Sequence, residues 1–194
     1  MGHRRDARAF RIIKLPVTPV PRDTHWRPAP SAAGRYRPWL TDRGSLTARI
    51  KARCPGVWVK VVFQGLRRPD RDERFVFSRG RGTRVLVREV FLYCGDTPVV
   101  FAHTVLDPED LQGAWRSVSK LGNRPLGAAL FANARVRRYP LRQRKIGWHH
   151  ELHRRVSSVV PGAPPSLWAR RSLFRLHNSP ILVTEVFLPE ILRL

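Results

Sequence analysis

Runs rich in hydrophobic residues, separated by turn residues and charged segments, recur along the chain after about residue 56. This pattern of hydrophobic and polar positions is typical of short strands bounded by turns. It predicts strands over residues 57–64, 85–93, 98–106, 134–141, 167–177 and 181–188. The breaks at residues 95–97 (Gly-Asp-Thr) and 178–180 (Asn-Ser-Pro) are typical of hairpin turns, so the strands they join should pair antiparallel.

A few short helices are predicted between these strands. Ser45 can cap a helix over residues 46–53. Asp107 followed by Pro108 is a typical helix start, and apolar residues at helical spacing continue this helix. Residues 125–132 predict another. About six strands with adjacent hairpins and few helices predict an α+β domain, with a single antiparallel sheet and helices packed on it.

Proline, glycine and arginine divide the chain into a domain and less regular parts. Residues 1–38 are rich in proline and arginine and predict a flexible basic arm, so the packed domain is expected over residues 39–194. Residues 65–82 are charged and rich in glycine and arginine, which favours a loop or mobile flap. Residues 142–165 are basic and predict an excursion from the core.

The composition is strongly basic, with 37 Lys and Arg against 14 Asp and Glu and a net charge of +23. Such a chain can bind nucleic acid or an anionic membrane surface. The charge is scattered, however, and no zinc finger, heptad zipper or RNP-like strand accompanies it. A solvated basic surface is the favoured interpretation, and its field would steer a small dianionic substrate inward.

The two cysteines and the lengths of the apolar runs indicate the cellular compartment of the protein. Cys54 and Cys94 are too few and too far apart to predict a metal site or a disulfide framework. No apolar run approaches the roughly 18 residues of a membrane helix. These features predict a reduced, cytoplasmic protein.

Three histidines form the only cluster of possible metal ligands that the sequence suggests. His149 and His153 are four residues apart, with His150 between them. This order is not the H-E-x-x-H of zinc proteases, and no third ligand is evident. We predict an exposed basic loop and no bound metal.

Two predicted strands each carry a charge on an apolar face. Arg88 shares its face with Leu86 and Val90, and Glu185 is likewise flanked by apolar residues. A buried unpaired charge is costly, so each side chain needs an opposite charge, hydrogen bonds or a charged ligand. Either Arg88 pairs with Glu185 or with Glu89, or the two strands hold a site for a small anion that also offers a hydroxyl group.

Four segments, in order along the chain, carry a resemblance to a known family. They are residues 40–50, which include Gly-Ser-Leu-Thr, residues 86–90 (Leu-Val-Arg-Glu-Val), residues 120–127 (Lys-Leu-Gly-Asn-Arg-Pro-Leu-Gly), and residues 167–172 (Leu-Trp-Ala-Arg-Arg-Ser) running into residues 182–189 (Leu-Val-Thr-Glu-Val-Phe-Leu-Pro). With these segments, residues 39–194 resemble the chorismate pyruvate-lyases of ubiquinone biosynthesis. The two anomalous charges lie inside them.

The resemblance implies a fold, a reaction and a site. The fold is an antiparallel sheet with helices and a ligand buried under flaps, and the reaction is the cofactor-free elimination of pyruvate from chorismate. The family's ligand contacts match Arg88, Leu126, Glu185 and Leu46, where some members have methionine in place of Leu46. Arg88 and Glu185 are the expected catalytic residues.

These residue types suit the substrate. Arg88 can bind a carboxylate bidentately, and backbone N–H groups at Leu126 and Leu46 can complete an anion site. Glu185 can accept a hydrogen bond from the ring hydroxyl or donate a proton.

Two other functions compete with catalysis. Effector-binding domains of some transcription regulators have a similar fold, but they follow a winged helix-turn-helix module, for which residues 1–38 are too short and too rich in proline. Nucleic-acid binding by charge alone is the second. We expect a monomer that binds chorismate and 4-hydroxybenzoate, has no specific nucleic-acid partner, and at most touches anionic surfaces through its arm.

Overall fold

The computed structural model describes residues 25–77 and 82–194, and in these ranges the strands form one seven-stranded antiparallel sheet. The strands are β1 (Val57–Arg67), β2 (Val85–Cys94), β3 (Thr97–Leu106), β4 (Arg137–Arg138), β5 (Arg142–Gly147), β6 (Ser166–Leu176) and β7 (Ser179–Phe187). Their order is β1-β2-β3-β7-β6-β4, and β5 pairs with the same side of β6 as β4. The predicted α+β class with a single antiparallel sheet is confirmed.

Short helices connect and cover the strands. The α-helices are α1 (Arg37–Thr41), α2 (Leu46–Lys51), α3 (Arg74–Phe77), α4 (Arg116–Ser119), α5 (Leu126–Ala132) and α6 (Glu151–Ser157). Turns of 3₁₀-helix lie at Gly34–Tyr36, Pro108–Leu111 and Pro189–Arg193. The predicted cap of α2 is present, because the Ser45 side chain accepts a hydrogen bond from the Ala48 N–H.

Five of the six predicted strands are confirmed, and the one over residues 134–141 is wrong. Only Arg137 and Arg138 pair with β6 in that stretch. Before them, Asn133 closes a turn, since its side chain accepts from the Arg135 N–H at 2.9 Å. After them, Pro140 has no N–H to continue the ladder.

The predicted excursion over residues 142–165 is also wrong. Its first part is strand β5, in which Gln143 and Ile146 are buried while Arg142 and Lys145 are exposed. Its second part is α6, which buries Leu152 in the core together with Ile146. The basic residues lie on the solvent side of an edge strand, and their number hid the buried positions between them.

The predicted helix that starts at Asp107 is shorter than expected. A 3₁₀ turn over Pro108–Leu111 is followed by Gly113, and α4 begins only at Arg116. Of the predicted loop over residues 65–82, residues 78–81 lie outside the described residues, and the described part is more regular than expected. There β1 continues to Arg67, and both Glu73 and Phe77 are buried.

The packed part of the chain begins before the predicted boundary at residue 39. Trp26 is 1% exposed, and its indole N–H donates to Asp72 at 2.8 Å. Arg27 and Gln143 exchange two backbone hydrogen bonds of 2.9 and 2.8 Å. The first 24 residues of the predicted arm lie outside the described residues.

Both faces of the sheet are covered. On one face, α1, α2 and α5 contribute Leu40, Ile50 and Leu130 to apolar clusters with the strands. On the other face, α6 packs Leu152 and Val156 against the centre of the sheet. None of the helices in the described ranges is long and apolar enough to span a bilayer.

A disulfide joins Cys54 to Cys94, whose Cα atoms lie 5.9 Å apart. The prediction that these cysteines do not form a disulfide is therefore wrong. They are 40 residues apart in sequence, but antiparallel pairing of β1 with β2 places Cys94, at the end of β2, opposite Val57, which follows Cys54 by three residues. The cytoplasmic location loses the support taken from free cysteines and stays a prediction.

Removing this disulfide should lower the free energy of unfolding by about 3–4 kcal/mol, because the closed loop restricts the unfolded chain. We expect urea unfolding of the wild type to shift to lower denaturant when a reductant is added. The double variant Cys54→Ala/Cys94→Ala should unfold at the same urea concentration with or without reductant. Equal stability of wild type and double variant would contradict a structural role for the bond.

Candidate active site

A cavity lies between the sheet and the two helices α2 and α5. The empty space within it, counted together with the open space at its mouth, is about 610 Å³. Its walls include all four residues to which the resemblance points: Arg88, Leu126, Glu185 and Leu46. The structure thus brings these residues together, while their roles stay predictions.

Strand register explains how distant residues meet in this cavity. Arg88 of β2 lies opposite Thr104 of β3, which in turn lies opposite Val183 of β7. Glu185 follows Val183 by two residues and therefore points to the same face. The Cα atoms of Arg88 and Glu185 are thus two strand spacings and two residues apart, roughly 12 Å. Long side chains at this separation can contact opposite ends of one ring.

The guanidinium of Arg88 is held by backbone carbonyls rather than by a carboxylate. The side chain is 2% exposed, and Nη2 donates to the carbonyl oxygens of Gly122 at 2.9 Å and Arg124 at 3.2 Å. Within the described residues its Nε has no hydrogen-bond partner. Burial lowers the pKa of Arg88. Neither ion pair considered from the sequence, with Glu185 or with Glu89, is formed.

Two glycines allow the chain segments around Arg88 to pack closely against one another. Gly122 has a φ of +52°, in the left-handed region that favours glycine, and its carbonyl accepts from Arg88. Gly127, in the first turn of α5, lies close to α2, because a Cβ there would be only 3.0 Å from Ser45 Oγ and the Ser45 side chain would have to shift. The start of α5, which carries Leu126, therefore packs closely on the start of α2.

Glu185 forms its ion pair with Arg170, which the sequence did not single out. Arg170 Nε lies 2.5 Å from Glu185 Oε2. The Arg170 side chain is 1% exposed, and its Nη1 donates to the carbonyls of Trp39 and Asp42, both at 2.7 Å. These contacts occupy Arg170 and fix the position of the Glu185 carboxylate at the cavity wall.

Sequence reasoning also missed Arg138, a further basic residue of the cavity wall. Arg170, like Arg88, is a charged residue within a predicted strand that is otherwise largely apolar. Because Arg171 follows it, however, the two adjacent arginines resemble a solvated basic surface, and the sequence alone does not indicate that Arg170 is buried. Arg138 gave no such signal, since its neighbourhood is basic throughout.

The opposite face of the sheet holds a buried group of charges. His103 lies between two carboxylates, with Nε2 2.8 Å from Glu73 Oε1 and Nδ1 3.0 Å from Glu89 Oε1. Arg155 lies 3.2 Å from Glu89 and donates to both carboxylate oxygens of Asp70 at 2.8 and 2.9 Å. Burial acts to lower the pKa of His103, but the two glutamates outweigh it and raise this pKa to about 9.

Three residues of this group are spaced as metal ligands could be. Ligand atoms of Asp70, Glu73 and His103 lie within 4.8 Å of one another. The guanidinium of Arg155 already neutralises Asp70, and a protonated His103 neutralises Glu73. We therefore interpret the group as a network of ion pairs.

The network should make stability depend on pH. The pKa of His103 in the folded protein is about 9, above its ordinary value of 6.5. Its contribution is therefore fully present below pH 6.5 and is lost as the pH rises through 9. We expect the free energy of unfolding to fall by up to about 3 kcal/mol between pH 6.5 and 10. The neutral variant His103→Gln should be less stable at pH 6.5 and lack this fall, and an unchanged pH profile in it would exclude His103 as the cause.

The histidine cluster near α6 is not the exposed loop that was predicted. His150 caps α6, since its Nδ1 accepts from the Leu152 N–H at 3.2 Å. His153 is buried, and its Nε2 lies 2.7 Å from the carbonyl oxygen of Pro164. His149 is exposed. The three side chains therefore have separate structural surroundings.

Residues 21–193 match the family described as Chorismate lyase. A "Probable chorismate pyruvate-lyase" of Nitrosomonas europaea is 51% identical over 170 residues, which cover 87% of this chain and 96% of that protein. A protein of the same description from Nitrosospira multiformis is 53% identical over 171 residues, covering 87% of this chain and 95% of that protein.

A more distant likeness concerns the fold alone. The crystal structure of a GntR-family transcriptional regulator from Bacillus cereus superposes with a TM-score of 0.50 at 14% identity, covering 70% of this chain and 93% of that one. Sequence identity this low carries no functional conclusion. The family match, by contrast, spans almost all described residues and includes the strands that carry Arg88 and Glu185. The chain belongs to the chorismate lyase family.

Proposed function

We propose that the chain is a chorismate pyruvate-lyase, which eliminates pyruvate from chorismate and releases 4-hydroxybenzoate for ubiquinone biosynthesis. Family membership supports the reaction. At the site, the proposal rests on the environment of Arg88. Its buried guanidinium lies in the cavity wall, and in the described part of the chain its Nε has no hydrogen-bond partner and no carboxylate pairs with it. An anionic ligand would satisfy it.

The reaction needs little beyond correct placement of the substrate. The bond between the ring and the ether oxygen breaks, and its electron pair leaves with the enolpyruvate. The ring carbon that bears the hydroxyl loses its hydrogen as a proton, and the ring becomes aromatic. Enolpyruvate then takes up a proton to give pyruvate. Because aromatisation drives the step, holding a reactive conformer and stabilising the developing negative charge are the main tasks of the protein.

Each predicted site residue has a role in this scheme. Arg88 binds the ring carboxylate through Nε–H, which has no partner among the described residues, while Nη2 stays on the carbonyls of Gly122 and Arg124 and fixes the guanidinium plane. Glu185, at the far end of the ring, accepts a hydrogen bond from the ring hydroxyl through the oxygen that Arg170 does not contact. Leu46 and Leu126 line the cavity on the helix side and exclude water.

No step of this scheme requires a metal or an organic cofactor, and we propose a cofactor-independent lyase. Turnover should survive exhaustive treatment with EDTA at the untreated rate. Lost activity that a divalent ion restores would contradict cofactor independence without contradicting the lyase assignment.

The function is tested by incubating the purified chain with chorismate and quantifying both products. We expect 4-hydroxybenzoate and pyruvate in equal amounts. An Arg88→Met variant purified in the same way controls for a contaminating lyase and should form neither product above background. Tight binding of chorismate without turnover would instead favour an effector-binding protein, and salt-dependent binding of arbitrary RNA without turnover would favour a nucleic-acid-binding protein.

We further propose that the enzyme acts as a monomer, since residues of this one chain line the cavity on both its sheet side and its helix side. Light scattering during size-exclusion chromatography should give a mass close to 22.4 kDa.

A further inference from the structure

A second guanidinium lines the cavity without a carboxylate partner among the described residues. Arg138 belongs to β4, the two-residue strand at the edge of β6. Its Nε donates to Ser172 Oγ at 3.0 Å, and its Nη1 donates to the backbone carbonyls of Arg43 and, at 3.5 Å, of Gly44. All three acceptors are neutral, so the positive charge lacks a direct counter-ion.

The surroundings of Arg138 fix its orientation. The guanidinium carbon lies 5.4 Å from the ring centre of Phe131 and 5.2 Å from that of Phe174. Contacts of a cation with ring faces at these distances are attractive and also remove water. Burial lowers the pKa of Arg138. A partly desolvated cation held in one plane is well prepared to bind a carboxylate.

Arg88 and Arg138 approach the cavity from opposite sides. Arg88 is on β2 and Arg138 on β4, and the strands β3, β7 and β6 lie between them. Their backbones are therefore about four strand spacings apart, or ~19 Å, and both side chains reach inward. Glu185, on β7, lies between them and is near enough to Arg138 to act on its charge.

We propose that Arg138 binds the enolpyruvyl carboxylate of chorismate while Arg88 binds the ring carboxylate. This inference rests on the proposed function, because it assigns the second charge of the same dianionic substrate. The ether and the ring hydroxyl are on adjacent ring carbons, so a substrate whose hydroxyl meets Glu185 has its enolpyruvyl group at the end of the cavity near Arg138. Arg170 is not the partner, since its contacts with Glu185, Trp39 and Asp42 already occupy it.

The position of Arg138 lets it act in the chemical step and distinguish the substrate from the ring product. Negative charge grows on the enolpyruvate as the ether bond breaks, and a fixed cation beside this group lowers the barrier. The ring product has one carboxylate and makes no contact of this kind. Arg138 therefore distinguishes the substrate from 4-hydroxybenzoate, whose affinity depends on Arg88.

The test compares Arg138→Gln with Arg137→Gln, which changes the exposed neighbour on the same strand. We expect Arg138→Gln to lower kcat/KM for chorismate by about 10²-fold or more, the effect of losing a charge-assisted contact. Its Kd for 4-hydroxybenzoate should stay within about threefold of wild type, and competitive inhibition by pyruvate should weaken markedly. Arg138→Lys should recover part of the turnover. Arg137→Gln should match the wild type in all three measurements.

Two results would overturn the inference. One is a kcat/KM within about threefold of wild type in Arg138→Gln. The other is an equal loss of affinity for chorismate, pyruvate and 4-hydroxybenzoate, which would indicate a general structural role. If Arg138→Gln does not fold, the same comparisons are made with Arg138→Lys, whose inhibition by pyruvate must weaken more than its inhibition by 4-hydroxybenzoate. A wild type that binds chorismate but does not turn it over refutes the proposed function, and the affinities for the three ligands still test Arg138.

Discussion

Replacing Arg88 by lysine should leave a folded protein that binds 4-hydroxybenzoate about 10²-fold more weakly and has a kcat/KM for chorismate about 10²-fold lower. Lysine keeps the charge but loses the planar guanidinium, whose Nε can bind a carboxylate while Nη2 donates to the carbonyls of Gly122 and Arg124. Losing one charge-assisted hydrogen bond weakens binding by about one to two orders of magnitude. Isothermal titration with 4-hydroxybenzoate and steady-state kinetics with chorismate measure the two effects.

The matched control is Arg67→Lys. Arg67 lies on the neighbouring strand β1 but contacts Glu89, on the face of the sheet opposite to the cavity. This variant should bind and turn over like the wild type, so a general effect of arginine replacement would be recognised. An Arg88→Lys variant with wild-type affinity for 4-hydroxybenzoate would show that the guanidinium group of Arg88 is not needed to bind the carboxylate.

The central strands could be predicted from the sequence because they are runs of mostly apolar residues that end at recognisable turns. The strands at the β4–β5 edge of the sheet could not be predicted in this way. Residues 142–147 contain three basic residues, and the pattern of buried Gln143 and Ile146 is too short to stand out among them. Trp26 gave no periodic signal, because a single buried ring anchors its segment to the sheet.

The site was only partly predictable for similar reasons. Arg88 and Glu185 were found because a charge on an apolar strand face is costly and therefore informative. Leu46 and Leu126 came from the resemblance alone, since leucine in a buried helix is ordinary. The partner of Glu185 depended on the position of a turn. With the turn at His177 and Asn178, Arg170 pairs with Glu185, whereas the predicted turn at residues 178–180 shifts the register and hides the pair.

Replacing Glu185 by glutamine should lower turnover of chorismate by about 10²-fold or more, the usual effect of losing an acid–base group. Affinity for 4-hydroxybenzoate should change much less, because the carboxylate of this ligand is proposed to bind Arg88 and not Glu185. The glutamine oxygen can still accept from Arg170 Nε, but the 1% exposed guanidinium loses its counter-charge. Breaking a buried pair from one side costs about 3–5 kcal/mol, so the free energy of unfolding should fall as well.

Two roles of Glu185 are therefore separable: it acts on the substrate, or it only neutralises Arg170. The double variant Glu185→Gln/Arg170→Gln removes both charges and should regain much of the stability that the single variant loses. If Glu185 acts on the ring hydroxyl or on a proton, the double variant stays as slow as Glu185→Gln. Recovery of turnover in the double variant would assign Glu185 to positioning through Arg170. A near-normal rate in Glu185→Gln itself would remove this residue from catalysis, because neither its charge nor its proton would then be needed.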